Sequence, residues 1–232
     1  MNKKGFIFDL DGVIVDTAKY HFLAWKNLAN SIGIDFSETQ NEQLKGVSRV
    51  RSLEKILTWG NKTLSEEEFS RLMTLKNEEY LSYINTMDAS EVLPNVTNTL
   101  NSLNNKKQAI ALGSASKNAR PILEKVDLLD KFHAIVDGND VTKAKPDPEV
   151  FLIGAKLLQL QPNDCVVFED SVAGIQAANI ANMLSIGIGD ASVLREADYI
   201  FKDFTEIPDS FLEDVISDKI KKQPKTNLSI KN

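Results

Sequence analysis

Asp9 and Asp11 stand two residues apart, directly after the apolar run Phe6-Ile7-Phe8 and just before Gly12. That run is too short for a helix and β-prone in composition. In an extended chain both carboxylates project to one side, with Leu10 on the other. Two anions held that close repel each other, so something must compensate: a shared proton, a cation, or separation in open solvent. Gly12 lets the backbone turn sharply beyond them. Taken alone, the stretch reads equally well as a strand that ends in a solvated acidic turn.

Comparable groups recur after other apolar runs. Ser114 follows Gln108 to Leu112 and opens the small-residue loop Ser114-Ala115-Ser116-Lys117-Asn118 after Gly113. Lys145 closes the loop that begins at Asp137, after Ala134-Ile135-Val136, and Glu169-Asp170 follow Cys165-Val166-Val167-Phe168. Ligands in doubly wound sheets sit at the carboxyl ends of the strands. Asp9 with Asp170, and with Glu169 nearby, would be an unstable cluster without a cation, and carboxylates with water and phosphate oxygens suit Mg²⁺. Ser114 and the backbone beside it offer donors to phosphate oxygens. Lys145 can neutralise both a phosphate and an attacking carboxylate. The sequence has no GxxxxGK[ST] loop, no GxGxxG after its first strand and only two histidines, so a carboxylate that accepts a phosphoryl group is the economical chemistry.

The elements that must position these groups follow from periodicity. Asp16 or Thr17 can cap a helix with Ala18, Phe22, Trp25, Ala29 and Ile32 on one face, His21 beside that stripe and Gly33 at its end. A second helix is expected from Val50 to Trp59. Ser65 with Glu68 has the form of a capping box, and Leu64 with Phe69 that of a hydrophobic staple. The helix they open carries Phe69, Met73, Tyr80 and Tyr83 on a stripe that also holds Lys76, a lysine that can snorkel outward. From Pro94 the pattern becomes helix, strand, helix, strand, and Asp147-Pro148 can open one of the helices. The expected fold is α/β, a doubly wound parallel sheet with an inserted all-helical cap. Residues 1–15 and 90–232 would form the core, 16–89 the cap, and 219–232 a flexible, lysine-rich tail.

Composition narrows the partners. The chain has 232 residues, 42% hydrophobic, a net charge of −6 and a single cysteine. That balance argues against binding to nucleic acid or to an anionic membrane, so an anionic substrate needs a local cluster of bases. Cys165 can form no intrachain disulfide and reads as a buried thiol. No apolar stretch is long enough to span a bilayer; a cytoplasmic monomer is expected.

Together Asp9-Leu10-Asp11-Gly12, Ser114, Lys145 and Glu169-Asp170 resemble the four motifs of the haloacid dehalogenase superfamily, in its phosphotransferase branch, over the chain to about Asp203. The resemblance implies that Asp9 becomes an aspartyl phosphate and Asp11 is the general acid/base. It also implies Mg²⁺ held by Asp9, the Asp11 carbonyl and Asp170, with Glu169 near. The segment Gln43-Leu44-Lys45-Gly46-Val47-Ser48-Arg49, with Ser52, resembles the substrate loop of sugar-phosphate mutases in that superfamily, as do Thr17, His21, Lys76 and the run 114–118. In those enzymes the cap closes on a sugar phosphate. Arg49 with Ser116, Lys117 and Asn118 would hold the phosphate not being transferred, and His21 and Lys76 would help position Asp11. The implied activity is an isomerase's, interconversion of β-D-glucose 1-phosphate and D-glucose 6-phosphate, with β-glucose 1,6-bisphosphate as intermediate and activator. A sugar-phosphate phosphatase with the same core is the alternative. A non-enzymatic sugar-phosphate sensor would not need Asp9 and Asp11 intact.

Overall fold

In the computed structural model, which describes residues 3–44 and 47–222, the chain begins with β1 (Gly5–Phe8), whose residues are all buried. The period-two alternation decides where each side chain goes. Phe6 and Phe8 enter the main hydrophobic cluster on one face of the sheet, and Ile7 enters the cluster on the other. β4 (Cys165–Glu169) repeats the pattern, with Val166 and Phe168 on the first face and Cys165 and Val167 on the second. The Phe8 and Phe168 rings stack with centroids 4.6 Å apart.

The remaining strands are β2 (Ala109–Gly113), β3 (Ala134–Val136), β5 (Leu184–Ile188) and β6 (Tyr199–Phe201). They form one six-stranded sheet in the order β3-β2-β1-β4-β5-β6, and every pairing is parallel. Successive strands are added toward one edge from β1 to β3 and toward the other from β4 to β6, so the order switches between β1 and β4, the kind of point where such folds bind ligands. The register is what counts for function. Phe8 lies opposite Leu112 on β2 and Phe168 on β4, so Asp9, Gly113-Ser114 and Glu169 emerge at one level.

Helices α5 (Val96–Asn105), α6 (Ala119–Lys125), α7 (Glu149–Leu157), α8 (Val172–Ile180) and α9 (Asp209–Ile216) flank the sheet. Between β1 and α5 lie α1 (Ala18–Ser31), α2 (Glu38–Glu42), α3 (Arg49–Trp59) and α4 (Glu66–Ile84). These pack around their own cluster of Trp25, Leu28, Phe36, Leu53, Ile56 and Leu72. Ala24, Tyr80 and Ile84 from α1 and α4 instead join the sheet's main cluster. Those two helices therefore join the helical layer to the sheet.

Several local expectations are corrected. Ser65 does cap α4, accepting from the Glu68 N–H, but the Glu68 carboxylate turns to Arg71 instead of reaching back. The capping box is therefore half-made. Thr17 is the N-cap residue of α1, yet its side chain makes no cap bond. Pro148, not Asp147, is the N-cap of α7, although Asp147 Oδ1 accepts from the Glu149 N–H at 3.0 Å. α2, with a full Ser37–Gln40 capping box, and α9 were not expected from the sequence. The segment after Lys219 is not loose throughout. Lys222 Nζ bonds Asn179, the Met183 carbonyl and Asp198, tying the chain to α8 and β5. The rest of the expected tail, 223–232, lies outside the described residues.

Candidate active site

Asp9 leaves the end of β1 with its N–H bonded to the Phe168 carbonyl at 3.0 Å. Beyond it the chain folds back on itself: the Leu10 carbonyl accepts from the N–H groups of Ile14 and Val15. Gly12 sits at φ +78° against Asp170, and a Cβ there would lie 2.2 Å from Asp170 Oδ2. Only glycine serves both the turn and the close approach.

Lys145 is buried at this point. Its Nζ donates to Asp9 Oδ1 at 2.5 Å and to Glu169 Oε1 at 2.6 Å. Burial works against its charge, but Asp9 and Glu169 outweigh burial and raise its pKa. Glu169 is held in turn by α8. Its Oε2 accepts from the Ser171 N–H at 2.7 Å and the Ser171 hydroxyl at 2.9 Å, and Ser171 Oγ caps the helix at the Gly174 N–H. A Cβ on Gly174 would lie 1.8 Å from Glu169 Oε1. Sequence reasoning missed Gly174, whose signal is only a glycine in the first turns of a helix.

Burial pushes Asp9 up to about 7, with Lys145 offsetting it and Glu169 and Asp11 adding to it. Asp11 is pushed up to about 6, again by burial first, against Lys145 and Lys76. The Thr17 hydroxyl donates to Asp11 Oδ1. That bond explains why Thr17 does not cap α1.

The helical layer supplies the other wall. Lys76 does not snorkel: it is 2% exposed, with Nζ 2.8 Å from His21 Nδ1 and over the rings of Trp25 and Tyr80 at 4.8 and 4.6 Å. Burial, then the Arg49 charge, lowers Lys76 to about 7. Burial, with Lys76 and Arg49 beside it, drives His21 well below its usual value, so the imidazole is neutral.

These walls enclose a cavity of about 360 Å³. Asp9, Asp11, His21, Val47, Arg49, Ser52, Lys76, Lys145, Asp170 and the run Ser114, Ala115, Ser116, Lys117, Asn118 all line it. Thr17 and Glu169 stand behind that lining, fully and almost fully buried, and act on it through Asp11 and Lys145. The Ser52 hydroxyl is spent on the Ser48 carbonyl at 3.1 Å. Lys45 and Gly46 lie outside the described residues. Asn118 bonds Asn77 on α4 at 3.2 Å, linking the two layers at the cavity. Among the described residues no carboxylate pairs with Arg49 or Lys117.

The sequence matches the haloacid dehalogenase-like hydrolase family over residues 3–182. The chain belongs to that family. This haloacid dehalogenase-like chain is 42% identical over 206 residues to a β-phosphoglucomutase of Bacillus subtilis, covering 88% of the chain and 91% of the relative. It is 32% identical to a fructose-1-phosphate phosphatase of Escherichia coli, over 79% of the chain and 95% of that protein. A crystal structure of a β-phosphoglucomutase from Clostridium difficile superposes with a TM-score of 0.89 at 40% identity, covering 94% of this chain and 99% of that one. The six-stranded parallel sheet with flanking helices seen in this chain is the family's Rossmann-like fold. No helix among the described residues is long and apolar enough to cross a membrane.

Among the described residues, no three His, Cys, Asp or Glu side chains converge as a metal cage. The donor set nonetheless fits a hard cation. Asp9 and Asp170 both line the cavity, and Gly12 leaves the space that the Asp170 carboxylate fills. Mg²⁺ binds through one or two carboxylates and keeps several waters or phosphate oxygens. Glu169 fits this less well than expected, because Lys145 and Ser171 already occupy its oxygens.

Proposed function

We propose that the chain is a mutase that interconverts β-D-glucose 1-phosphate and D-glucose 6-phosphate through an aspartyl phosphate on Asp9 and β-glucose 1,6-bisphosphate. The observation that carries this reading is two separate sets of phosphate-seeking groups on one cavity. Lys145 is committed to Asp9 and Glu169. Arg49, from the helical layer, and Lys117 line the cavity and have no carboxylate partner among the described residues, which leaves both available to a second phosphate. A bisphosphate needs both sets at once; a monophosphate being hydrolysed needs one. The identity to the Bacillus relative supports the same reading.

In the phosphoenzyme, Asp11 takes the proton of the C6 hydroxyl of β-glucose 1-phosphate as that oxygen attacks phosphorus, and the P–O bond to Asp9 breaks. The bisphosphate then turns over in the cavity. Asp9 attacks the C1 phosphate, and Asp11 returns its proton to the departing C1 oxygen, which leaves glucose 6-phosphate and the phosphorylated enzyme. A carboxyl held near pH 6 can serve in both directions. Lys145 favours the anionic form of Asp9 against burial, and Ser114 and its loop supply donors to the transferring phosphate. When bound, Mg²⁺, held by Asp9, the Asp11 carbonyl and Asp170, would neutralise charge on that phosphate. The helices of 16–89 act as a lid that keeps water from Asp9, and the site makes its sugar phosphate a small, freely diffusing partner.

The phosphatase alternative shares the whole core and is represented by the Escherichia coli relative. The nucleophile is tested with Asp9→Asn, which is expected to keep the fold and lose both turnover and any acid-stable mass gain from a phosphoryl donor. Substantial turnover by that variant would remove Asp9 from its role.

A further inference from the structure

Tyr80, on α4, is 1% exposed and lines the cavity, yet its hydroxyl makes no hydrogen bond of good geometry with any described residue. Its ring is fixed, stacked on His21 with centroids 4.2 Å apart and lying under Lys76 Nζ. A buried donor left unpaired is costly, so it calls for a partner. The Thr17 hydroxyl lies within hydrogen-bonding reach of the phenol, and the charges of Asp11 and Arg49 are also felt there. Thr17 Oγ1 has one proton, and it is already given to Asp11 Oδ1. Toward Tyr80 that oxygen can only accept. An uncommitted donor thus stands beside a hydroxyl that has only lone pairs left to offer.

We propose that Tyr80 is a positioning residue for Asp11: its O–H donates to Thr17 Oγ1 when the cavity is filled, and so fixes the bond from Thr17 to Asp11. The relay runs from α4, across the start of α1, to the loop after β1. It makes the aim of the acid/base group depend on how α4 is seated. This inference rests on the reading of Asp11 as general acid/base.

Tyr80→Phe removes the hydroxyl and keeps the ring. The test compares two phosphoryl donors on the full chain supplied with Mg²⁺. β-Glucose 1-phosphate has a departing sugar oxygen that must be protonated, whereas acetyl phosphate releases acetate, which leaves without a proton. Total consumption of the sugar phosphate is followed, whichever product forms. Its kcat is expected to fall about tenfold in Tyr80→Phe, with KM and the rate of Asp9 phosphorylation by acetyl phosphate changed less than about twofold. Thr17→Val should show the same selectivity, and adding Tyr80→Phe to it should cost little more. Asp11→Asn is the reference. If Asp11→Asn shows the selective loss and Tyr80→Phe does not, or if Tyr80→Phe slows both donors equally or changes only KM, the role of Tyr80 is overturned. If Asp11→Asn itself slows both donors alike, the acid/base reading falls and the relay with it.

Discussion

Lys145 Nζ lies 2.5 Å from Asp9 Oδ1, and both groups are buried. Burial alone would leave Asp9 largely protonated and useless as a nucleophile; the lysine works against that. Lys145→Ala is therefore expected to slow phosphoryl transfer by about 10²–10³-fold, the scale for removing one preorganised electrostatic partner. It should also move the acidic limb of the pH–rate profile upward, because Asp9 must lose its proton to attack and would then lose it at higher pH. A limb that moved down, or stayed in place, would contradict this role.

Arg49 tests the second phosphate. Its planar fork suits phosphate oxygens in a way that lysine does not copy. Losing one charge-assisted contact should cost about 1.5–3 kcal/mol, roughly ten- to a hundredfold in glucose 6-phosphate formation by Arg49→Ala. Hydrolysis of acetyl phosphate, which brings no second phosphate, should change far less. Equal losses on both would place Arg49 outside the phosphate site.

Lys76 makes a prediction about stability. Its pKa in the folded protein is about 7, against an ordinary value of 10.5, with burial the main cause and Arg49 second. Between those values the unfolded chain holds a proton that the folded protein does not, so this residue's contribution rises with pH from about 7 to about 10. Lys76→Met keeps the apolar contact with Trp25 and Tyr80. It should stabilise the protein by about 2–4 kcal/mol at pH 7, with the gain shrinking as pH approaches 10. Urea midpoints at pH 7 and 9.5 measure this, and a gain that grew with pH would contradict it.

Gly174 reverses the usual helix rule. Glycine to alanine inside a helix ordinarily gains about 0.5–1 kcal/mol, and Gly154→Ala on α7 should do no worse than neutral, since its Cβ would meet Ile7 at 3.4 Å, an ordinary contact. Gly174→Ala instead drives a methyl into the Glu169 carboxylate. It should destabilise by about 1–3 kcal/mol and lower activity through Lys145. Ser171→Ala, which removes a bond to Glu169, should weaken activity in the same direction.

Much of this site is legible in sequence because the strands are short apolar runs with abrupt polar ends. Asp9, Ser114 and Glu169 follow Phe8, Leu112 and Phe168 within two residues, and the register brings those ends level. Helix faces are less legible. The stripe through Phe69, Met73, Tyr80 and Tyr83 is rotated from the buried one, which is Leu72, Lys76, Tyr80 and Ile84. A lysine on an apolar face gives no sign of whether its amine will reach solvent, and here His21 and two rings hold it inside. Partners distant in sequence leave no local signal either: nothing near Gly174 announces Glu169, and nothing near Tyr80 announces Thr17. α9 is hard to read from sequence because its eight residues are too few for helical periodicity to stand out from a loop.

The central claim is transfer to sugar in preference to water. The measurement is the ratio of glucose 6-phosphate to inorganic phosphate formed from β-glucose 1-phosphate by the Mg²⁺-supplied enzyme, primed with β-glucose 1,6-bisphosphate and run beside the α anomer. Glucose 6-phosphate is expected to dominate with the β anomer and to be negligible with the α. Inorganic phosphate released faster than glucose 6-phosphate forms would contradict the mutase reading and establish the phosphatase in its place.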